Sequence, residues 1–375
     1  MPETLSQIPY VNLGAQWQDD REELLPIIDK LFGSGHYVGG MEIDKFEEQI
    51  AKLCQVNHAV ALNSGTDALT LALHLLGVGP GDEVITPPNS FIASTAVIMH
   101  LGAVPVFVDV LPDQNIDPDK IGPAITKKTK AIMPVHLTGR ICDMDPIMEI
   151  AHNHGLKVVE DAAQAIGSKY KSKPSGSIGD VGCFSTHPLK NLNACGDGGF
   201  LTTNDEKIYL KAKALRNHGM VDRGTVDNFG YVSRMDNLQA AILNYRLGKL
   251  DDIIRKRRNN AQIYFDTINT EFVYMANEKE YEFNTYHTFI IQTEKRDLLK
   301  KYLFENGIET AIHYPTPIHL QPASESLGHQ GGDFPVVEKQ SEEILTLPVN
   351  QSLKQATIEK IVSTINKIVS NKKIH

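Results

Sequence analysis

The chain has 375 residues, 41% apolar and 22% charged, the composition of a soluble globular protein with room for a large core. Its 37 Lys and Arg against 46 Asp and Glu leave a formal charge of −9, which excludes nucleic acid or an anionic membrane as a partner engaged by overall charge. Four cysteines without a C-x-x-C pair (Cys54, Cys142, Cys183, Cys195) exclude a disulfide framework and a cysteine zinc site.

In chain order, the opening stretch MPETLSQIPYVNLGAQW has no basic region followed by an apolar run, so no secretory signal is read. No apolar run reaches the roughly 18 residues of a membrane span. A cytoplasmic protein is expected. Gly33-Ser34-Gly35 to Gly39-Gly40 is glycine-rich, but its spacing does not fit a dinucleotide fingerprint and it follows no clear strand. From residue 58 to 205 short apolar runs alternate with helical patterns. The predicted strands are His58–Leu62, Glu83–Thr86, Val104–Val110, Ala131–Leu137, Lys157–Glu160, Gly182–Thr186 and Phe200–Thr203. Several are apolar throughout, as suits strands covered on both faces. Predicted helices lie near 66–76, 91–101, 117–127, 143–154 and 205–218. The alternation predicts an α/β fold with a mostly parallel central sheet and flanking helices, and places ligand chemistry at the carboxyl ends of the strands.

Beyond residue 235 the pattern changes. One long helix is predicted from Asp236 to about Thr267, with Lys249, Arg255, Lys256, Arg257 and Arg258 as a solvated basic face. The rest reads as a smaller α+β unit, with the polar, Gly-rich Gln321–Phe334 as a mobile surface loop. Two domains are expected, a large one over 1–245 and a small C-terminal one over 246–375.

Several motifs are missing. There is no P-loop and no G-x-S-x-G elbow. His152 and His154, two apart on a predicted helix, point in different directions, and no metal is expected. His136 and Cys142 can be posed as a thiol–base pair, but a buried structural thiol is the commoner case.

Three segments converge at the predicted sheet edge. Asn63-Ser64-Gly65-Thr66 follows the strand 58–62 and opens a helix. Glu160-Asp161-Ala162-Ala163-Gln164 follows the strand 157–160. Ser185-Thr186-His187-Pro188-Leu189-Lys190-Asn191 follows the strand 182–186. Together they offer an anion cradle, a carboxylate and a lysine, the groups that pyridoxal phosphate needs. Helix N-terminal amides attract the phosphate, Gly65 allows close approach, and Thr66 and Ser185 add hydroxyls. Asp161 suits the pyridine nitrogen, keeping it protonated so that the ring accepts the electron pair left when a Cα–H bond breaks. Lys190 suits the Schiff base and the proton transfer that follows. Gln164, one helical turn past Asp161, suits the ring hydroxyl. Taken singly, each has a plain alternative: a surface lysine, a helix-capping aspartate, an ordinary helix start.

At these residues the chain resembles the DegT/DnrJ/EryC1/StrS family of pyridoxal-phosphate-dependent sugar aminotransferases, of the aspartate-aminotransferase type I fold. The resemblance runs through GSGHYVGGMEIDKFEEQIA (33–51), LNSGTDALTLAL (62–73), DEVITPPNSFIASTAVI (82–98), VEDAAQAIGS (159–168), GDVGCFSTHPLKNLNACGDGGFLTTND (179–205), SRMDNLQAAIL (233–243) and HYPTPIHLQP (313–322). It implies Lys190 as the cofactor lysine, Asp161 as the pyridinium partner, Gln164 at the ring hydroxyl, Ser64, Gly65, Thr66 and Ser185 around the phosphate, and Phe91 stacked on the ring. It implies a homodimer with sites at the subunit interface, L-glutamate as amino donor and a keto sugar as acceptor, expected to be a nucleotide-linked 3- or 4-keto-deoxyhexose. Family members with histidine in place of this lysine are dehydratases, so Lys190 favours transamination. His187, Asn191, Arg234, His313 and Tyr314 are expected near the substrate. Arg216 and Arg234 each read as an anion-binding fork or a structural ion pair.

Two departures stand out. Thr186 replaces an aromatic residue common in the family. Val232 stands where relatives carry an Asn that reaches the partner subunit's cofactor phosphate, with Ser233 or Asn228 as substitutes. Other readings stay open: sugar dehydration or cyclitol amination on the same fold, a non-catalytic regulatory protein that keeps the cofactor site, and an unrelated phosphate-binding α/β protein.

Overall fold

The computed structural model describes residues 7–369; part of the opening stretch in which no secretory signal is read lies outside the described residues. Asn12 caps α1 (Leu13–Ser34) by accepting from the Ala15 amide at 2.9 Å, and Gly35, at φ 70°, ends it. The glycine-rich stretch is thus helix punctuation, and α2 (Met41–Cys54) starts directly after Gly40. Then follow β1 (His58–Leu62), α3 (Gly65–Leu75), β2 (Glu83–Thr86), α4 (Ala93–His100), β3 (Val104–Phe107), α5 (Ile121–Ala124), β4 (Thr129–Ile132), α6 (Met144–His154), β5 (Lys157–Asp161), the short β6 (Lys169–Tyr170) and β7 (Lys173–Pro174), β8 (Val181–Ser185), β9 (Gly199–Thr203) and α7 (Glu206–Leu215).

Seven of these strands form one sheet in the order β1-β9-β8-β5-β4-β2-β3. β8, β5, β4, β2 and β3 pair in parallel, and β9 runs antiparallel to both its neighbours. β1 therefore points the same way as the parallel strands. The carboxyl ends of β1, β5 and β8 share one edge. Val60, Leu62, Val84, Val159, Val181 and Leu201 pack beneath α3 and α4 on one side. Ile85, Ile132 and Val158 meet α6 on the other. Burial on both faces explains why these strands read as unbroken apolar runs.

Three predicted elements shorten. The run Ala131–Leu137 leaves the ladder after Ile132, touches β5 only at the Val135–Asp161 bridge, and turns at Leu137–Gly139. Val104–Val110 is a strand only to Phe107. The helix expected over 117–127 is a turn at Pro118–Lys120 followed by the single turn of α5, which contains Gly122-Pro123 and stops where Ile125 turns extended.

The chain continues through α8 (Asn237–Leu247), α9 (Leu250–Thr267), β10 (Glu282–Phe283), β11 (Phe289–Gln292), α10 (Arg296–Glu305), α11 (Pro335–Glu343), β12 (Ile344–Leu347) and α12 (Gln355–Val369). β11 and β12 pair antiparallel, and a separate core of Tyr264, Phe289, Ile291, Leu299, Leu345 and Ile361 lies around them. The single helix expected over 236–267 is two, broken at Gly248-Lys249. Its basic face is only partly solvated. Arg255 and Lys256 are exposed beside Asp252, whereas Arg258 pairs with Glu278 and lies 4.2 Å over the Phe283 ring. Arg257 is buried, with 6% of its surface exposed.

The mobile loop expected over 321–334 is instead docked. Pro322–Leu327 forms a helical turn and Phe334 packs edge-on to Phe107, with ring centroids 6.1 Å apart. Asp109 accepts from the Val336 and Val337 amides at 3.0 Å, capping α11 from across the molecule. One aromatic anchor and a distant carboxylate order a segment whose own composition is polar. Cys54, Cys142 and Cys183 are buried, whereas Cys195 is exposed and is not a packing residue. The Cys142 thiol donates to the Val135 carbonyl at 3.2 Å, and burial pushes its pKa well up, so it is no nucleophile. No helix among the described residues is long and apolar enough to cross a membrane.

Glu160 fixes β5 from within. It is fully buried and accepts from His136 Nε2 at 3.0 Å and from the amides of Gly176, Ile178 and Gly179 at 2.7–2.8 Å. His136 Nδ1 accepts from the Cys142 amide, so the Nε2–H tautomer faces the carboxylate. Burial alone would raise the Glu160 pKa, but these donors outweigh it and lower it. A lowered folded-state pKa gives stability that is present above the ordinary carboxylate range and lost as pH falls through the folded value. Glu160→Ala should therefore cost about 3–5 kcal/mol in urea unfolding at neutral pH. The gap to wild type should narrow once the medium is acidic enough to protonate Glu160.

Candidate active site

The phosphate-sized cradle begins with close backbone packing. A Cβ on Gly65 would lie 2.8 Å from Ser185 Cβ, and one on Gly199 would lie 2.4 Å from the Gly65 nitrogen. β8, β9 and the start of α3 therefore touch with no room for side chains, which sets Ser185 beside the helix N-terminus. Ser64 caps α3 through Oγ, accepting from the Asp67 amide at 3.1 Å. The amides of Gly65 and Thr66, in the first turn, have no intrahelical acceptor and carry the positive end of the helix dipole. Ser185 Oγ accepts from the His187 amide at 3.2 Å, which leaves its own proton to donate.

Asp161 ends β5 with 4% of its surface exposed. Its Oδ2 accepts from Ser94 Oγ at 2.6 Å and its Oδ1 from the Ala163 amide at 3.2 Å. Backbone bonds to Pro134 and from His136, at 3.0 and 2.9 Å, pin it on the other side. Lys190 closes a turn through its amide to the His187 carbonyl at 2.8 Å. Its side chain is half-buried. That burial brings its amine down to about 8, against the Asp161 carboxylate, which pulls it up.

Gln164 Oε1 accepts from the Thr138 amide at 2.8 Å, and this turns Nε2 outward, 3.4 Å from the Tyr314 hydroxyl. Thr138 makes that bond from a left-handed backbone at φ 64°. The Phe91 ring is exposed in the cleft, 6.4 Å from the Tyr314 ring. Ser64, Gly65, Thr66, Phe91, Asp161, Gln164, Ser185 and Lys190 thus stand on the loops at one sheet edge. The free amides and hydroxyls at the start of α3, brought beside Ser185 by this side-chain-free packing, and the backed carboxylate fit pyridoxal phosphate.

The expected substrate residues divide. His313 and Tyr314 reach the site from the C-terminal part. His313 Nδ1 meets Thr346 Oγ1 at 2.9 Å; burial and the Lys190 charge hold its pKa down to about 4, so the ring is neutral. Burial, then the Asp161 charge, raises the Tyr314 hydroxyl, which keeps its proton. His187 is exposed beside Lys190. Asn191 is buried and donates to the Thr285 carbonyl at 3.1 Å, tying the lysine turn to the segment before β11. Arg234 donates to Asn217 Oδ1 at 3.0 Å. Arg216 pairs with Glu47 and donates to the Ala61 carbonyl at 2.7 Å, so it is a structural tie.

Thr186 is buried where Gly198 leaves no space, since a Cβ there would sit 2.4 Å from its hydroxyl. Val232 is exposed and bridges to Asn217. Ser233 is buried and donates to Asn63 Oδ1 at 3.4 Å, which leaves Asn228, bonded to Asp227 Oδ2 at 2.9 Å, on the exposed side. Ser94, Thr138, His287 and Tyr10 are not singled out from the sequence, and Arg257 reads there only as part of a solvated basic face. Only Ser94, inside a run shared with the family, carried a signal there.

A backed carboxylate, a depressed lysine and a helix-end cradle at the carboxyl edge of this sheet define a pyridoxal-phosphate-dependent enzyme of the type I aminotransferase fold. The DegT/DnrJ/EryC1/StrS aminotransferase family matches over residues 18–366, and the chain belongs to it. It is 40% identical to a "Pleiotropic regulatory protein" of Geobacillus stearothermophilus, over 96% of this chain and 97% of that one. It is 37% identical to the dTDP-3-amino-3,4,6-trideoxy-alpha-D-glucose transaminase of Streptomyces venezuelae (96% and 95% covered). It is 40% identical to the UDP-N-acetyl-3-dehydro-alpha-D-glucosamine 3-aminotransferase of Acidithiobacillus ferrooxidans (96% and 97%). Among solved structures, S. venezuelae DesV superposes with a TM-score of 0.95 at 37% identity, over 97% of this chain and 99% of that one. NtdA of Bacillus subtilis, solved with the cofactor PMP, gives 0.91 at 31% identity, over 99% and 87%.

The amine in the cofactor-free protein should titrate near 8, read as the pH dependence of acylation of the Lys190 peptide under competitive labelling. Asp161 is the group that raises it, so Asp161→Asn should move the midpoint to lower pH. A midpoint that stays or rises would show that the carboxylate does not act on Lys190.

Proposed function

We propose that the protein is a cytoplasmic, homodimeric aminotransferase that moves an amino group from L-glutamate to C3 of a nucleotide-linked keto sugar. The observation that carries the transferase reading is Lys190, on the turn after β8, within electrostatic reach of Asp161 at the end of the neighbouring β5 and beside the cradle at the start of α3. The position on the sugar is supported by the names of the S. venezuelae and A. ferrooxidans relatives, which both place the amine at carbon 3 and differ in the nucleotide. The exposed apolar side chains of Val226, Phe229, Tyr231 and Val232 support a subunit interface along the 219–232 segment. The large unit over 1–245 would hold the cofactor and the small unit over 246–375 would bring His313 and Tyr314 over it.

The roles follow from the groups. Pyridoxal phosphate, when bound, supplies an electron sink for the pair left by proton removal. Ser64, Gly65, Thr66 and Ser185 would bind its phosphate. Asp161, oriented by Ser94 and Ala163, would keep the ring nitrogen protonated. Gln164, its amide turned by Thr138, would offer Nε2–H to the ring hydroxyl, and Phe91 would lie against the ring. Lys190 would hold the cofactor, and its amine in the neutral form would carry the proton from the substrate carbon. A pKa near 8 leaves a usable neutral fraction at physiological pH. Neutral His313, the Tyr314 hydroxyl, His187 and Arg234 would meet the sugar. Asn191, spent on Thr285, positions the lysine turn.

Borohydride reduction and peptide mapping should label Lys190 alone. L-glutamate should bleach the visible absorbance of the bound cofactor and release 2-oxoglutarate. Lys190→Ala should lower that rate by about 10²–10⁴-fold or more. In a panel of nucleotide-linked keto sugars the 3-keto compounds should be aminated; preference for a 4-keto compound would overturn the position. A Lys190→Ala protein that keeps its full biological effect would favour a regulatory role.

A further inference from the structure

Arg257 is the buried cation that these roles leave unused. It sits on α9 with 6% of its surface exposed. Nη1 donates to the carbonyls of Tyr286 and His287, at 3.2 and 3.1 Å. Nε is sealed from solvent and has no partner. No carboxylate among the described residues lies within ion-pair distance of it. A buried guanidinium that bonds only carbonyls keeps the desolvation cost of its charge without a counterion. Burial accordingly brings its pKa down to about 10. The edge formed by Nε and Nη2 is the one a carboxylate grips with two parallel bonds.

The surroundings lead back to the cleft. His287, which presents its carbonyl to Arg257, has a buried ring with an unpartnered Nδ1, kept neutral by burial and by the charges of Lys190 and Arg257. Asn191, next to Lys190, holds Thr285 two residues before it. Tyr10 feels the charge of Arg257 and of Tyr314, and its ring stands 5.9 Å from that of His313. Lys190, His287, Arg257, Tyr10 and His313 thus lie within electrostatic reach or ring contact of one another and make a donor-rich wall with two cations, Lys190 and Arg257. An anion is the missing complement.

We propose that Arg257, with His287 beside it, binds a carboxylate of the amino donor. This rests on the aminotransferase reading and adds the group that recognises an amino acid as against the sugar that follows it into the same cleft. A carboxylate would take the free Nε–Nη2 edge and accept from the neutral His287 ring. A sugar without a carboxylate would leave the wall to water.

The test uses the cofactor-loaded enzyme and glutarate, a dicarboxylate with no amine, titrated by calorimetry. Wild type should bind glutarate, and Arg257→Gln should weaken it by at least about tenfold, the loss of a charged bidentate contact. Arg257→Lys keeps the charge without the fork and should also weaken it; it serves alone if the Gln variant fails to fold, as read by melting temperature. In single-turnover reactions the concentration of L-glutamate needed for half-maximal rate should rise at least tenfold in these variants. With 2-aminopropane, a donor without a carboxylate, the change should be under about threefold. Equal losses with both donors would make Arg257 a structural strut and overturn the proposal. So would unchanged glutarate binding, or wild type that does not bind glutarate. If wild type shows no half-reaction with any amino acid yet loses glutarate binding in the variants, the aminotransferase reading fails and the carboxylate site stands.

Discussion

An amine and a carboxylate must face each other where water hardly reaches, and the rest of the molecule is arranged around that constraint. Burial disfavours the charged form of Lys190, and the Asp161 charge opposes it. The balance leaves the amine able to change protonation near neutral pH. Each partner therefore has to be immobile. Asp161 is held by Ser94, Ala163 and two backbone bonds, with fully buried Glu160 one residue before it. Lys190 is held by its own turn and by Asn191 on Thr285. The strands serve this arrangement: β5 and β8 are adjacent and parallel, so their last residues emerge side by side. The antiparallel β9 lets β8 lie close against the start of α3, because Gly199 and Gly65 present no side chains there.

Much of the large sheet could be read before any coordinates. Strands buried on both faces give unbroken apolar runs, and β1 and β2 have the predicted bounds. The catalytic candidates were legible for a related reason: they follow strand ends, where an α/β sheet puts its chemistry. What stayed hidden depends on partners far away in sequence. Ser94 lies 67 residues from Asp161, and its role depends on a bond that no local pattern encodes. Thr138 acts through its backbone amide, which every residue type but proline would supply, so its identity carries no signal. The docked segment before α11 reads as a loop because its order comes from Asp109 and Phe107, over 200 residues away. The break at Gly248-Lys249 was lost because amphipathic spacing continues across it.

The arginines show why residue type alone leaves function open. From sequence Arg216 and Arg234 read as anion-binding forks or structural ion pairs, and Arg257 and Arg258 as part of a solvated face. Packing sorts them by what their donors already hold. Arg216 has a carboxylate and a carbonyl, and Arg258 has a carboxylate and an aromatic face. Arg234 gives one bond to a neutral amide, which leaves it free to turn toward a ligand at small cost. Arg257 alone of the four is buried without an acid.

That difference bears on how one cleft handles two unlike substrates in turn. An amino acid and a sugar nucleotide share the lysine and the cofactor, so discrimination has to come from groups that one of them uses and the other ignores. Arg257 is set on α9, in the part of the chain that also carries His313 and Tyr314, while the cofactor groups stand on the sheet edge. The sugar nucleotide brings its own phosphates, and a fork buried this deeply is out of reach of a group that large. The wall can therefore be specific for the small anion without repelling the large one, because depth of burial does the sorting as much as charge.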